Sequence, residues 1–186
     1  MRKIINSTYI TLDGAVEDPH LWPSLGDAGS KLSFDIQTEL LNNCDAVLMG
    51  RRTYDSFASV WPTRSGDVYS DRINAMEKFV VSSTLCNPTW NNTTVIARDL
   101  VAEVSRLKQQ PGKDIVQYGI GRVSFTLIEH SLLDELRLWV HPLILGNKGP
   151  QVPHFRDCLP TQLNLVASRT LPNGIAILNY QIAGQI

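Results

Sequence analysis

Two glycine turns, each between an apolar run and a helix-forming segment, are the features of this sequence that point to chemistry. Gly119 and Gly121 follow the apolar run 115–118, and helical spacing of apolar residues begins at Val123. Unpaired N–H groups in the first turn of a helix attract anions, and glycine lets a phosphate approach the backbone because it has no Cβ. The alternative is a simple strand–helix corner, since Ser124 stands where the GxGxxG pattern has its third glycine.

A second turn of the same kind lies at Gly50, after the apolar run 45–49. The helix-forming segment that follows begins with Arg51, Arg52 and Thr53. The planar guanidinium of arginine matches the oxygens of a phosphate, so arginines at a helix start favour an anionic ligand. Both turns together are more specific for a phosphate-bearing ligand than either turn alone.

Hydroxyl and carboxylate side chains supply three further candidate positions. Ser82 and Ser83 end the apolar run 78–82, where their hydroxyls could hold a ribose or a phosphate, or could instead form the turn. Asp35 lies on a helix predicted for residues 30–42, and facing a cleft it could orient a polar substrate or supply a proton. The alternative for Asp35 is a solvated helix carboxylate.

A long irregular stretch, residues 15–29, interrupts the early part of the chain and contains Trp22. Loops of this length in compact domains are usually functional or disordered. A tryptophan side chain is too large to leave in water without reason, so Trp22 is interpreted as part of a lid or pocket wall. The alternative, that Trp22 anchors the loop to the core, is equally open.

The composition argues against several classes of function. The 186 residues carry a formal net charge of -1, which predicts no nucleic-acid partner and no binding to acidic membranes. No apolar stretch is long enough to span a bilayer, so no membrane segment is expected. The three cysteines and four histidines lack metal-ligand or disulfide spacing, which predicts no metal site and a cytoplasmic location.

The hydrophobic periodicity predicts one α/β domain over residues 1–186. Strand–helix units come first and antiparallel strands come last, so the expected sheet is mixed, mostly parallel, and ends in a hairpin around Pro172-Asn173-Gly174. Ser30 is the expected N-cap of the first helix, a polar loop is expected after Trp61-Pro62, and a turn-rich loop is expected over 142–150. Strands are predicted at 3–10, 45–49, 78–82, 93–97, 115–118, 134–141, 163–171 and 175–182, and helices at 30–42, after residue 50, from Asp99 to 109, and after residue 121.

The position of the glycine turns separates two nucleotide-binding folds. A Rossmann domain has its glycine fingerprint after the first strand, whereas here that strand is followed by Leu12-Asp13-Gly14 and the GxG turn comes only at Gly119. The chain instead resembles the dihydrofolate reductase-like superfamily, which implies a three-layer αβα fold. It is most similar to stand-alone proteins related to the C-terminal reductase domain of the bacterial riboflavin-biosynthesis bifunctional enzyme. The resemblance covers nearly the whole chain and is carried by segments 12–14, 45–54, 79–82, 118–121, 133–142 and 168–171 with Gly174.

This resemblance implies NADPH as the cofactor, held by both glycine turns. The residues placed near the adenosine side and its 2′-phosphate are Gly50, Arg51, Arg52, Thr53, Ser82 and Ser83. The residues placed at the pyrophosphate are Gly119, Ile120, Gly121 and Arg122. The residue types agree, because arginines and hydroxyls without a ribose-binding acid beside them favour NADPH over NADH.

On the substrate side the resemblance is to dihydrofolate reductases. The segment around Trp22 resembles the mobile loop that covers the nicotinamide, and Asp13 belongs to the Leu-Asp-Gly segment as a candidate substrate contact. Asp35 stands at about the spacing of the pterin-binding acid, which makes it the candidate catalytic residue. No deaminase domain is expected.

The resulting hypothesis is an NADPH-dependent reductase that transfers a hydride to a small polar heterocycle of the pterin or aminopyrimidine type. The alternative is a catalytically silent nucleotide-binding or scaffold protein on the same fold. A homodimer is expected, from the resemblance and from the apolar strands over 136–140 and 175–180.

Overall fold

The structure of the protein is a computed structural model that describes residues 1–146 and 154–185. Its strands are β1 (Ile4–Thr11), β2 (Cys44–Gly50), β3 (Glu77–Val81), β4 (Thr93–Ile96), β5 (Asp114–Tyr118), β6 (Glu135–His141), β7 (Thr161–Thr170) and β8 (Ala176–Gln185). Its α-helices are α1 (Ser30–Asn42), α2 (Arg51–Ala58), α3 (Val68–Ala75), α4 (Leu100–Gln109) and α5 (Arg122–Glu129).

All eight strands form one sheet, in the order β4-β3-β2-β5-β1-β6-β8-β7. Strands β1 to β6 are parallel to one another, whereas β8 runs antiparallel to both β6 and β7. This arrangement confirms the predicted mixed sheet with a C-terminal antiparallel hairpin. Because the six parallel strands point the same way, the loops that follow them meet at one edge of the sheet.

The central strands are mostly apolar because helices cover both faces of the sheet. On one face, residues such as Val47, Met49 and Val116 pack with side chains from α1, α2 and α3. On the other face, residues such as Leu48 and Ile115 pack with side chains from α4 and α5. The three-layer αβα fold implied by the resemblance is therefore present.

Helix α3 is a correction, because the sequence predicted a polar loop after Trp61-Pro62. The helix begins after Asp67, whose carboxylate accepts a hydrogen bond from Ser70 N at 2.9 Å, and it buries Tyr69 and Ile73. Eight residues with so few apolar positions do not produce a recognisable helical pattern, and the burial of Tyr69 depends on packing against α1.

The cap of α1 is a second correction. The residue before the helix is Gly29, in the left-handed region with φ 83°, and Ser30 is the first helical residue rather than the N-cap. A Cβ at residue 29 would lie 2.9 Å from Cδ of Pro172, so the hairpin turn packs directly against the start of α1. By contrast, Asp99 caps α4 as predicted and accepts a hydrogen bond from Ala102 N at 3.1 Å.

Within the described part of the chain, the helices are all too short or too polar to cross a lipid bilayer. The predicted loop over 142–150 is described only as far as residue 146, so its remainder, 147–150, lies outside the described residues.

Candidate active site

The two glycine turns lie side by side at the carboxyl edge of the sheet. Strands β2 and β5 are parallel neighbours with Met49 opposite Tyr118, so Gly50 and Gly119 follow at the same level. A Cβ on Gly119 would lie only 2.4 Å from Thr53 Oγ1, and one on Gly50 would lie 3.6 Å from a methyl carbon of Val123. The expected meeting of the two turns is therefore observed.

Two helices begin at this meeting point. Gly50 precedes α2 and Gly121 precedes α5, and among the described residues neither helix has a side-chain cap or an acidic residue in its first turn. The first-turn N–H groups and the positive ends of both helix dipoles are therefore directed towards one region. Such a region attracts a doubly charged group such as a pyrophosphate.

A cleft of about 460 Å³ opens next to this region, at the carboxyl ends of β3 and β4. Its polar lining comes from Arg51, Ser82, Ser83, Thr84, Arg98 and Asp99. Arg98 was not among the predicted site residues. The signal that could have identified it is its position between the end of a parallel strand and a helix N-cap, at the same edge of the sheet as Arg51.

The neighbouring arginines Arg51 and Arg52 point in different directions, although the sequence suggested a joint role. Arg51 Nε contacts both carboxylate oxygens of Asp55 at 2.8 Å, one turn along α2, and Arg51 lines the cleft. Arg52 instead extends towards the 15–29 loop, with Nη1 3.7 Å from Glu17 Oε1. Arg51 is therefore placed to meet a ligand in the cleft, and Arg52 connects α2 to the loop.

The two serines at the end of β3 also differ. Ser82 is buried, and its Oγ accepts hydrogen bonds from Thr84 N at 3.2 Å and Leu85 N at 3.1 Å. Ser82 thus forms the turn, which was the alternative interpretation of this residue, while Ser83 is exposed at the rim of the cleft.

The other end of the carboxyl edge carries a group of rings. Trp22 lies edge-on to His141 with 5.2 Å between ring centroids, and the Tyr9 ring is 4.8 Å from the His141 ring. The indole Nε1 of Trp22 donates to Glu17 O at 2.9 Å. Both interpretations of Trp22 are compatible with this position, because it ties the 15–29 loop to β6 and also forms a wall over the ends of β1 and β6.

Two titratable groups in this ring cluster are held in their neutral forms by burial. His141 Nδ1 lies 2.9 Å from Trp139 O, and since a carbonyl only accepts, Nδ1 carries the proton and Nε2 is an acceptor. Burial lowers the pKa of His141. Burial also raises the pKa of Tyr9, against the opposing effect of the hydrogen bond that Gln37 Nε2 donates to Tyr9 Oη at 2.7 Å.

Asp13 has structural partners on the segment that follows β6. Its carboxylate accepts hydrogen bonds from Thr11 Oγ1 at 2.6 Å, Leu145 N at 3.0 Å and Gly146 N at 2.8 Å. The hydrogen bonds from Thr11 and Gly146 lower the pKa of Asp13. Asp13 therefore holds two loops together, and its contact with substrate stays a prediction.

Asp35 lies on the outward face of α1. Its side chain is 52% exposed and pairs with Lys31 Nζ at 2.8 Å, one turn earlier on the helix. The expectation that this carboxylate faces a cleft is therefore corrected to the alternative, a solvated helix carboxylate. Gln37 is a polar residue of α1 that points inward, to Tyr9, and sequence periodicity did not single it out.

Among the described residues, no three His, Cys, Asp or Glu side chains are grouped as metal ligands would be. The three cysteines are all unpaired thiols. Burial, the largest effect, raises the pKa of the Cys44 thiol to about 12, so this thiol is not a nucleophile.

Several solved structures share this fold. A putative riboflavin biosynthesis protein from Shewanella sp. PV-4 superposes with a TM-score of 0.71 at 20% identity, covering 98% of this chain and 99% of that one. A pyrimidine reductase-like protein from Corynebacterium diphtheriae gives a TM-score of 0.63 at 14% identity, covering 97% and 92%. A diaminohydroxyphosphoribosylaminopyrimidine deaminase/5-amino-6-(5-phosphoribosylamino)uracil reductase from Thermotoga maritima gives 0.64 at 16% identity, covering 98% of this chain and 57% of that longer one.

Sequence relationships are closer than these structural ones. The uncharacterized protein YyaP of Bacillus subtilis (strain 168) is 30% identical over 98% of this chain and 96% of its own length. Residues 2–177 match the family of the RibD C-terminal domain. With nearly the whole chain matched and the fold shared, the protein belongs to the RibD C-terminal domain family, which points to a reductase-type enzyme.

Proposed function

We propose that this protein is a cytoplasmic reductase that uses NADPH to reduce a small polar heterocycle of the pterin or aminopyrimidine type. The observation that carries the proposal is the meeting of two glycine turns at Gly50 and Gly119, each leading into a helix, beside a cleft lined by Arg51 and Arg98. Membership of the RibD C-terminal domain family supports a reductase over a silent nucleotide-binding protein.

The order of the strands supports an extended dinucleotide. The cleft lies at β4 and β3, the glycine turns at β2 and β5, and the ring cluster around Tyr9 and His141 at β1 and β6. These three features follow one another along the edge, and the centre of the cleft lies four strand spacings from the centre of the ring cluster, about 19 Å at about 4.8 Å between strands. We assign the adenosine end to the cleft, the pyrophosphate to the glycine turns and the nicotinamide end to the ring cluster.

The charges of the cleft favour NADPH over NADH. Arg51 and Arg98 place two guanidinium groups in its lining, where a 2′-phosphate would sit. Asp99 is the one acid among the named lining residues, and its carboxylate is engaged with the helix as the N-cap acceptor from Ala102 N. An acid that caps a helix is less available to hold the ribose 2′-hydroxyl of NADH.

At the pyrophosphate, the first turns of α2 and α5 supply backbone N–H groups, and Gly119 lets α2 pack close to the turn, because Thr53 Oγ1 fills the space of its missing Cβ. When bound, the nicotinamide supplies a hydride. The chain itself has to bind and orient both partners, exclude water and provide a proton to balance the hydride. Trp22 is placed to exclude water, because it covers the ends of β1 and β6 beside His141.

Tyr9 is the residue that we assign to hold this proton. Its Oη accepts a hydrogen bond from Gln37 Nε2, so the hydroxyl hydrogen remains available to donate to a heteroatom of the substrate. The raised pKa of Tyr9 keeps the hydroxyl protonated across the physiological range. The Gln37 amide would stabilise the tyrosinate left after transfer, until solvent returns the proton.

A homodimer is part of this proposal. The face of β6 and β8 away from α1 carries the half-buried side chains of Leu138, Val140 and Leu178, and on β7 the side chains of Leu165 and Val166 are more than half exposed. A second copy would cover such a face. Sedimentation that shows only a monomer at micromolar concentration would contradict the dimer but not the reductase.

The test of the proposed function is a titration with NADPH and with NADH, followed by tryptophan fluorescence, because Trp22 lies at the proposed nicotinamide end. We expect NADPH to bind more tightly than NADH. Absence of binding at millimolar NADPH contradicts the proposal. A turnover screen over pterins, pyrimidines and quinones then separates a reductase from the silent alternative, which predicts binding without oxidation of the cofactor.

A further inference from the structure

A buried group of polar side chains lies directly beneath the Gly119 turn, and the function proposed above does not use it. Asn6 on β1, Gln117 on β5 and Ser124 on α5 are almost completely inaccessible to solvent. Buried amides and hydroxyls are costly unless they are hydrogen-bonded, so such a group needs an explanation.

Two side-chain amides donate to one backbone oxygen, and the Ser124 hydroxyl lies beside them with its single hydrogen nearer to Gln117 Oε1. The carbonyl oxygen of Gly119 lies 2.7 Å from Gln117 Nε2, 2.9 Å from Asn6 Nδ2 and 3.3 Å from Ser124 Oγ. The same three residues are joined to one another, because Gln117 Oε1 accepts from Asn6 Nδ2 and from Ser124 Oγ. Thr8 Oγ1 completes the network by donating to Asn6 Oδ1 at 2.9 Å.

This network sets the direction of the neighbouring N–H group. A trans peptide is planar, so the C=O of Gly119 and the N–H of Ile120 point in opposite directions. The two amide donors hold the carbonyl towards the protein interior, which turns the Ile120 N–H outward. Within the described residues this N–H has no hydrogen-bond acceptor. Donors on the carbonyl also polarise the peptide, which makes the N–H a stronger donor.

We propose that Asn6, Gln117 and Ser124 are positioning residues that hold the Gly119–Ile120 peptide so that its N–H binds a phosphate oxygen. The ligand is a pyrophosphate group, and within the proposed function, on which this inference rests, it is the pyrophosphate of the dinucleotide. This network gives a positioning role to Ser124, which stands where the GxGxxG pattern has its third glycine. Its hydroxyl ties α5 to the turn, where a glycine would only allow close packing.

The experiment compares Ser124→Ala, Ser124→Gly and Gln117→Met with wild type. A matched control is Ser105→Ala, which removes a hydroxyl that donates within α4, a helix on the same face of the sheet. Dissociation constants are measured for NADPH, for inorganic pyrophosphate and for adenosine 2′-monophosphate, which lacks a pyrophosphate. Thermal unfolding reports whether each variant is folded.

We expect the three network variants to bind NADPH and pyrophosphate about fivefold more weakly, the effect of one lost hydrogen bond, with adenosine 2′-monophosphate unchanged. We also expect the amide resonance of Ile120 to shift when pyrophosphate is added to wild type, and to shift less in Gln117→Met. An equal loss for all three ligands, or an Ile120 amide that does not respond, would overturn the inference.

The two proposals fail separately. If wild type binds pyrophosphate through Ile120 but binds neither dinucleotide, the reductase assignment is wrong and the positioning network stands. If wild type binds NADPH and the network variants bind it equally well, the network has no positioning role and the reductase assignment stands. If Ser124→Ala does not fold, Ser124→Gly and Gln117→Met provide the same comparison.

Discussion

Thr53 Oγ1 occupies the space that a side chain at Gly119 would need. The Thr53 side chain, in the first turn of α2, therefore packs directly against the backbone of the turn after β5. Gly119 also has φ +77°, a conformation that other residues adopt only with strain. This one contact brings together two segments of the proposed cofactor site that are far apart in the sequence.

Gly119→Ala should therefore lower the free energy of unfolding by about 1–3 kcal/mol and weaken NADPH binding. Gly66→Ala is the matched control, because Gly66 has a similar φ of +88° but no atom within 4 Å of its missing Cβ. Chemical denaturation of both variants separates the backbone strain, which both substitutions cause, from the steric overlap with Thr53, which only Gly119→Ala causes. If Gly66→Ala costs as much as Gly119→Ala, the contact with Thr53 is unimportant; partial rescue by a second change, Thr53→Ala, would support it.

Arg98→Ala and Arg51→Ala should each weaken NADPH binding about tenfold while changing NADH binding little, because each removes a charged hydrogen-bond donor from the cleft. Arg52→Ala serves as the control, since this side chain contacts Glu17 instead. Titration of each variant with both dinucleotides gives the ratio of the dissociation constants for NADPH and NADH. Equal losses for NADPH and NADH would show that the cleft does not hold a 2′-phosphate.

Tyr9→Phe should lower kcat by about 10²-fold or more while leaving the Kd for NADPH unchanged, because it removes the proposed proton and no cofactor contact. Gln37→Leu should reduce kcat less, since it removes only the partner of the hydroxyl. Steady-state kinetics with the substrate identified in the turnover screen make the comparison. A Tyr9→Phe enzyme with full kcat would assign the proton to another group.

Lys78 predicts a pH dependence of stability. Its side chain is fully buried, donates to the carbonyls of Asn74 and Met76, and lies 4.5 Å from the Trp90 ring centroid. Burial lowers the pKa of Lys78 from 10.5 to about 8. Between these two values the unfolded chain binds more protons than the folded protein, so this group makes the free energy of unfolding rise with pH from about 8 to 10.5.

Urea denaturation of wild type and Lys78→Met across this pH range checks the prediction. The free energy of unfolding of wild type should increase relative to that of Lys78→Met as the pH rises. Lys31→Met is the control, because it removes an amine from an exposed lysine instead of a buried one. A difference that stays constant from pH 7 to pH 10.5 would mean that Lys78 keeps its proton throughout this range.

The sequence predicted the elements whose apolar residues recur with a clear local period. Strands buried on both faces read as continuous apolar runs, and α1 and α4 carry clear stripes, so these elements were predicted within a residue or two of their observed ends. Helix α3 was missed because its stability depends on Tyr69 and Ile73 meeting α1 and the sheet, and its eight residues contain too few apolar positions to form a stripe.

Chain order and residue type were sufficient to determine the strand–turn–helix units, the two glycine turns and the membership of a reductase-type family. Tertiary structure alone decided which side chains share a site. Arg98 and Arg51 line one cleft because β2, β3 and β4 are neighbours in the sheet. On α1, Gln37 reaches Tyr9 while Asp35 pairs with Lys31 in solvent. Ser124 and Asn6 both bond to Gln117 because β1 lies next to β5. Periodicity acts between residues a few positions apart, whereas these contacts join residues brought together only when the sheet assembles.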